Sequence, residues 1–201
     1  MNKRVIKEKE KRRFNILQAA EKLFLSKGFE NVTMQQIALK ADFTRRTLYS
    51  YFSSKEDLYL AVFFKNSRKR WQQNMKMMDA EDNVVDKLRA YGRANFDYAM
   101  KNPRLFRFNI YWEHNGLDMN RVSKQAWQEF SQPQQEAIKH MAAIFHQGIA
   151  EGIFRADLDS CRMMRILCIT LRSTLNEVIL GYESEDFYFN YLDLFIRSIL
   201  R

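Results

Sequence analysis

Proline and glycine are scarce in this chain, which has two prolines and six glycines among its 201 residues. Folds built from strands need such residues at their many turns, whereas long helices avoid them. Apolar residues make up 46% of the sequence and aromatic residues 14%, which is enough to bury a sizeable core. The sequence therefore predicts an all-α fold and excludes a disordered chain.

The residues that carry most enzyme and metal chemistry are also few. Cys161 and Cys168 form no C-x-x-C pattern, and His114, His140 and His146 show no metal-ligand spacing. The sequence has no G-x-S-x-G motif, phosphate-binding loop or dinucleotide fingerprint. We therefore predict that the chain is not an enzyme, binds no cofactor or metal, and keeps its cysteines as structural thiols. A cysteine-based redox sensor is the alternative, and it would need a lowered thiol pKa.

Long apolar runs are missing as well. No stretch approaches the ~18 uninterrupted apolar residues of a membrane span, and the N-terminal run MNKRVIKEKEKRR has no apolar core of a signal peptide. These features predict a soluble, cytoplasmic protein that does not insert into a membrane.

Positive charge is concentrated in one part of the chain. Residues 1–70 carry 17 Lys and Arg against 7 Asp and Glu, whereas residues 71–201 carry 16 against 17, so the net charges are +10 and −1. A localised basic excess is typical of a surface that binds phosphates, and a solvated surface that only aids solubility is the alternative.

The segment at residues 33–55 has the pattern of a helix-turn-helix. Thr33 and Gln36 match a capping box, which predicts a helix that begins at Thr33. A short turn follows at residues 41–43, and Thr44 is a second N-cap candidate for a helix from Arg45 to about Phe52.

The second of these helices has a polar outer face. Leu48 and Phe52 are four residues apart and share the buried side. The outer face is left with Arg45, Arg46, Thr47 and Tyr49. Arginine fits the major-groove edge of guanine, and hydroxyl groups bind phosphate oxygens, so these residue types predict a helix that reads DNA.

The run GFENVTMQQIALKADFTRRTLYSYFSSKEDL at residues 28–58 resembles the DNA-binding signature of TetR-type transcriptional regulators. The resemblance lies in the glycine-aromatic lead-in, T-x-x-x-I-A, L-Y-x-x-F and the lysine that follows. It departs from the family at Asp42, where a turn glycine is usual, and at Arg46, where a small residue is usual. The resemblance implies that Lys55 contacts the DNA backbone, and we expect Thr33, Thr44 and Tyr51 to complete the DNA-contacting set.

The remaining pattern predicts a larger helical domain. We expect a DNA-binding domain at 1–55, a connecting helix at 56–78 and a helical ligand-binding and dimerisation domain at 79–201. The first helix is predicted at 13–27, and Ser53 with Glu56 predicts the cap of the fourth. Further helices are predicted at about 85–101, 104–114, 120–130, 133–151, 160–180 and 185–200.

Aromatic residues and methionines on these helices are candidates for the ligand cavity that the family resemblance implies. The candidates are Phe96, Met100, Phe108, Tyr111, Trp112, Trp127, Phe130, Met141 and Phe145. Their chemistry favours a small apolar, aromatic or cationic effector, with tryptophan contacts for a cation. The alternative is that the set is ordinary core.

The last two helices are apolar on more than one side, which predicts that one side packs against the core of the domain and another side packs against a second subunit. The candidate interface residues are Leu171, Leu175, Tyr188, Tyr191, Phe195 and Ile199. The resemblance implies a homodimer that binds a palindromic operator in double-stranded DNA. The alternative is that both helices are central core helices.

Together these features predict a homodimeric, ligand-responsive repressor that binds specific DNA sequences. The alternative keeps the DNA contact but makes the second domain a protein-interaction module without a small effector.

Overall fold

The computed structural model describes residues 3–201, apart from the side chains at positions 112–115, 130, 133 and 134. The helices are α1 (Lys3–Lys27), α2 (Met34–Lys40), α3 (Arg45–Tyr49), α4 (Lys55–Met78), α5 (Val84–Lys101), α6 (Pro103–Asn115), α7 (Lys124–Ala150), α8 (Ser160–Leu180) and α9 (Glu185–Ile199), with a 3-10 turn at Met119–Arg121. The predicted all-α fold is confirmed. Across the described residues, no helix is both long and apolar enough to cross a membrane.

The chain divides into two compact units. The first unit contains Met1–Ser67 and Arg104–Ser131, and the second contains Arg68–Pro103 and Gln132–Arg201. The first unit therefore includes α6 and the start of α7 in addition to the helix-turn-helix. The functional domain boundaries predicted after residues 55 and 78 stay a prediction.

An aromatic cluster forms the centre of the first unit. The ring of Tyr59 on α4 lies 4.5 Å from that of Phe108 on α6 and 5.1 Å from that of Phe29 between α1 and α2. Tyr59 also donates a 2.6 Å hydrogen bond to the carbonyl oxygen of Phe108. Because a buried phenol needs a partner for its hydroxyl group, this bond fixes α6 against α4.

Close contacts at two glycines hold the second unit together. A Cβ atom on Gly92 of α5 would stand 2.3 Å from a methyl carbon of Leu192 on α9, and one on Gly148 of α7 would stand 2.2 Å from the Phe154 ring. The Tyr188 hydroxyl group donates a 2.8 Å hydrogen bond to the carbonyl oxygen of Gly92. These contacts require glycine because any side chain would fill the space that the neighbour occupies.

Three predicted helix boundaries are wrong, and the simplest case is α3, which ends at Tyr49 rather than near Phe52. α1 begins at Lys3 rather than near residue 13, because residues 3–12 are mostly strong helix formers and Glu8 pairs with Arg12 one turn later at 3.1 Å. The helices predicted at 120–130 and 133–151 are one helix, α7. The Ser123 hydroxyl group accepts the Ala126 N–H at its start, and no glycine stands between positions 116 and 148 to end it.

Candidate nucleic-acid interface

Side-chain caps define both helices of the helix-turn-helix. The Thr33 hydroxyl oxygen accepts the Gln36 backbone N–H at 3.2 Å, and the Gln36 side-chain oxygen accepts the Thr33 N–H at 3.0 Å. The Thr44 hydroxyl oxygen accepts the Thr47 N–H at 3.1 Å and lies 2.9 Å from the Thr47 hydroxyl oxygen. The predicted capping box and second N-cap are therefore confirmed.

The turn between α2 and α3 depends on Asp42. Its φ of 60° makes it the one non-glycine residue with positive φ in the described part of the chain. Aspartate tolerates this left-handed conformation better than most residues. The turn is closed by a 2.9 Å hydrogen bond from the Phe43 N–H to the Ala38 carbonyl oxygen. The substitution of the usual glycine therefore leaves the turn intact, as the sequence predicted.

The short α3 presents its cations to solvent. Leu48 is fully buried and anchors the helix, while Arg45 and Arg46 are exposed. The Arg45 guanidinium carbon lies 5.5 Å from the centroid of the Tyr49 ring, which is also exposed. Neither arginine forms an ion pair with any residue that the structure describes. Their donors are free to bind base edges or phosphate oxygens.

Lys55 has a structural role that the sequence did not predict. Its ammonium group donates a 2.9 Å hydrogen bond to the Phe29 carbonyl oxygen and lies 4.1 Å from the centroid of the Phe29 ring. The side chain is half-buried, and it ties the start of α4 to the connection between α1 and α2. An ammonium group has three N–H donors, so the predicted phosphate contact stays compatible with this bond.

The cap of α4 lies one residue later than predicted. The Ser54 hydroxyl oxygen accepts the Asp57 N–H at 2.9 Å, so Ser54 rather than Ser53 caps the helix. Tyr51, two residues before Ser53, is half-buried. The predicted phosphate contacts of Tyr51 and Thr33 stay predictions.

Two buried carboxylates at the start of α4 hold the segment before α7. The Glu56 carboxylate lies 3.2 Å from the Arg121 guanidinium, and the Asp57 carboxylate accepts the Ser123 N–H at 2.8 Å. Glu56 and Asp57 are each 3% exposed. The sequence did not predict this role of Asp57, because a contact between residues 66 positions apart in the chain leaves no local signal. Through these two contacts, Glu56 and Asp57 stabilise the position of α4, the helix that follows α3.

The predicted effector-binding residues lie in different environments. Phe108 and Tyr111 belong to the first unit, where the Tyr111 hydroxyl group donates to the Glu30 carboxylate. The pKa of Tyr111 is raised to about 12, mainly by burial and to a smaller extent by this hydrogen bond. Trp127 is 41% exposed. The side chains of Trp112 and Phe130 lie outside the described residues.

In the second unit, three of the predicted effector-binding residues are buried. Phe96 packs against Tyr188 and Phe189 with ring centroids 5.3 and 5.0 Å apart. Met141 and Phe145 are 1% exposed, whereas Met100 is 47% exposed. The structure therefore does not gather the predicted set around one described cavity.

Five of the six residues predicted to form the dimer interface face the core of their own subunit. Leu171, Leu175, Tyr188, Phe195 and Ile199 are buried within their own subunit, with exposures from 0 to 7%. Buried side chains have no surface left for a partner to cover, so these five are core residues. Tyr191 alone of the predicted set is partly exposed. The period of an apolar helix does not distinguish the side that meets its own core from the side that meets a partner.

Cys168 is not suited to redox sensing. Its thiol lies 3.3 Å from the Tyr91 hydroxyl oxygen. Burial raises the thiol pKa of Cys168, which disfavours the reactive thiolate that a sensor needs. Cys161 is exposed.

Comparison with known proteins agrees with this geometry. Residues 16–62 match the family model of bacterial regulatory proteins of the tetR family. The chain is 43% identical over 63 residues to the uncharacterised HTH-type transcriptional regulator YfiR of Bacillus subtilis, and this match spans only 31% of each chain. It is 30% identical over 151 residues to the HTH-type transcriptional repressor NicS of Pseudomonas putida, covering 73% of this chain and 67% of NicS.

The fold is also found in solved structures. The transcriptional regulator FadR from Bacillus subtilis, solved in complex with stearoyl-CoA, superposes with a TM-score of 0.72 at 17% identity, covering 93% of this chain and 99% of FadR. The predicted family resemblance is thus confirmed over the helix-turn-helix and extends to the fold of the whole chain. The chain belongs to the TetR family of bacterial regulatory proteins and is a DNA-binding transcriptional regulator.

Proposed function

We propose that the protein is a homodimeric repressor that binds a palindromic operator through α3 and releases it when a small effector binds the second unit. The observation that carries the DNA contact is the exposed, unpaired Arg45 and Arg46 on a helix anchored by buried Leu48. Repression is favoured because the relative NicS is named a repressor.

A face on α8 and α9 supports the homodimer. Exposed apolar side chains recur there at helical spacing. They are Ile166, Ile169, Phe187 and Leu194, with partly exposed Tyr191 beside them. Leu194 is 65% exposed and belongs to this group, and a patch of exposed apolar side chains marks a surface that another protein covers more often than a single exposed leucine does. We therefore assign the dimer interface to this face, and a two-fold dimer would present two copies of α3 to a palindrome.

The effector is proposed to be a small molecule of mainly apolar or aromatic character. Buried Phe96, Met141 and Phe145 make the interior of the second unit apolar. Burial raises the pKa values of Tyr91 and Tyr188 above the usual phenol range, so both phenols stay neutral. A fold neighbour was solved with stearoyl-CoA, which favours an effector with a long apolar part. A ligand shifts the DNA-binding equilibrium only by its differential affinity for the bound and released forms.

Ligand control is tested by screening compounds for their effect on operator binding. The operator is first obtained by selection from randomised duplexes, and binding is then followed by fluorescence anisotropy while apolar and aromatic compounds are added. We expect at least one compound class to release the operator and to raise the melting temperature of the free protein by mass action. Operator binding that no compound class alters, together with no stabilising compound, would contradict ligand control while leaving DNA binding intact.

A further inference from the structure

Asn74, near the end of α4, is a buried amide whose oxygen has no partner. The side chain is 2% exposed, and no described residue donates a hydrogen bond to its oxygen atom. A buried acceptor without a donor lowers stability, so native proteins keep few of them. The presence of this acceptor in the second unit is explained if its donor comes from a bound molecule.

Arg70 lies one turn before Asn74, which places both residues on the same side of α4. Its side chain is half-buried, and its guanidinium carbon lies 5.9 Å from the centroid of the Tyr98 ring on α5. Arg70 forms no ion pair with a carboxylate in the described part of the chain. A partly buried guanidinium without a counter-charge is suited to bind an anion.

The charge of Arg70 reaches a pair of neutral polar groups on α5 and α8. The Tyr91 hydroxyl oxygen lies 3.3 Å from the Cys168 sulfur. Burial has the largest effect on both groups and raises their pKa values, while the positive charge of Arg70 has a smaller effect and lowers them. Tyr91, Cys168, Arg70 and Asn74 all belong to the second unit. A cation and an unpartnered acceptor therefore lie in the unit to which the effector is assigned.

These two side chains require complementary groups in one ligand. Arg70 needs a negative charge, and the Asn74 oxygen needs an O–H or N–H donor. The Cβ atoms of residues one turn apart are about 5–6 Å from each other, so the two ligand groups must lie within a few bonds of each other. An ordered water molecule would satisfy Asn74 but would leave Arg70 without a counter-charge. A cationic effector, which the aromatic residues alone would allow, is repelled by Arg70.

We propose that Arg70 and Asn74 bind the head group of the effector, and that the effector is an acid with an apolar chain and a hydroxyl or amide donor next to its carboxylate. This inference rests on the proposed function and narrows the effector from apolar molecules in general to one class of anions. Arg70 donates charge-assisted hydrogen bonds to the carboxylate, and Asn74 accepts the hydrogen bond of the neighbouring donor.

The test compares four compounds that share one apolar chain, namely α-hydroxydecanoate, decanoate, decanol and decylamine. Their affinities for the DNA-free protein are measured by isothermal titration calorimetry and by the shift in melting temperature. α-Hydroxydecanoate should bind at least about tenfold more tightly than decanol, because it adds charged hydrogen bonds to Arg70. It should bind about fivefold more tightly than decanoate, because its hydroxyl group donates to Asn74. Decylamine should not bind.

Variants of Arg70 test the charge of the head group. Arg70→Gln should remove the preference for the acids over decanol, whereas Arg70→Lys should keep most of it because lysine retains the positive charge. Arg165→Gln removes an exposed arginine of α8 in the same unit and should leave all four affinities unchanged.

A variant of Asn74 tests the donor. Asn74→Leu should remove the preference for α-hydroxydecanoate over decanoate but keep the preference for decanoate over decanol. It should also raise the melting temperature of the ligand-free protein, because an apolar group of similar size replaces a buried acceptor that has no partner. A lower melting temperature would show that the Asn74 oxygen is already bonded within the protein and would overturn its role.

The outcomes separate this site from the proposed function on which it rests. Equal affinities for decanol and the acids, tighter binding of decylamine, or no binding of any of the four compounds would overturn the proposal. Wild-type protein that binds the acids but no duplex DNA contradicts the proposed function and leaves the site in place. Release of the operator by uncharged apolar compounds alone supports ligand control and contradicts the assignment of Arg70 and Asn74.

Discussion

The Lys55 ammonium group lies 4.1 Å from the centroid of the Phe29 ring and donates a 2.9 Å hydrogen bond to the carbonyl oxygen of the same residue. The Lys55 side chain thus links the first turn of α4 to the connection between α1 and α2. We infer that Lys55 stabilises the DNA-binding unit whether or not DNA is present.

Replacing Lys55 should therefore change stability as well as DNA binding. Lys55→Met keeps the apolar stem but removes the charged hydrogen bond and the contact with the ring, so the free energy of unfolding should fall by about 1–3 kcal/mol. Urea denaturation followed by circular dichroism measures this loss. Lys22→Met, at an exposed site on α1, is the control and should stay within about 0.5 kcal/mol of the wild type. A Lys55→Met variant as stable as this control would show that the Phe29 contact contributes nothing.

The arginines of α3 should be responsible for much of the preference for the operator sequence over other DNA. Arg45→Ala and Arg46→Ala should each reduce the preference for operator over scrambled DNA by about 1–3 kcal/mol if the arginine binds guanine bidentately. Affinities for both duplexes, measured at one salt concentration, provide the comparison. Arg68→Ala, at an exposed site on α4, should leave the preference unchanged. Equal losses on both duplexes would mean that Arg45 and Arg46 contact only phosphates.

A charge on the exposed face of α9 should separate the subunits. Leu194→Glu places a carboxylate at the centre of the proposed interface, where it would be buried without a partner in the dimer, while the monomer keeps it in water. We expect a folded monomer by light scattering and a loss of operator binding. Met100→Glu replaces another exposed apolar residue of the second unit and should leave the dimer intact. Dimers that persist in Leu194→Glu would exclude this face as the interface.

Replacing Gly148 even by alanine should lower the stability of the protein. Glycine to alanine in a helix usually stabilises by about 0.5–1 kcal/mol, but the added Cβ would lie 2.2 Å from the buried Phe154 ring. Gly148→Ala should instead destabilise the protein by about 1–3 kcal/mol, measured by urea denaturation. Adding Phe154→Leu should restore part of this loss because it opens space for the Cβ. Gly148→Ala that stabilises the protein would contradict the packing described for α7.

The sequence predicts the local features of the DNA-binding unit well. The Thr33 capping box, the Thr44 cap and the Asp42 turn depend on residues within a few positions of one another, so their signals are complete in the sequence. The early start of α1 was missed because residues 3–12 show no apolar stripe, although their helix propensity is high.

Features that depend on distant residues were not predictable. The bonds of Lys55 to Phe29 and of Asp57 to Ser123 join positions 26 and 66 residues apart. The buried and exposed sides of α9 could not be told apart for a related reason. Phe195 and Leu194 are neighbours on a helix with apolar residues around most of its circumference, and only the packed structure shows that the first is buried and the second exposed.

The central claim is that two copies of α3, held by a two-fold dimer, read DNA sequence. Selection of bound sites from randomised duplexes tests it most directly. The account predicts an enriched inverted repeat whose half-sites are centred about one helical turn, or a multiple of it, apart, and Arg45→Ala/Arg46→Ala should fail to enrich the same motif. Enrichment of no motif, or of a single site without a repeat, would contradict it.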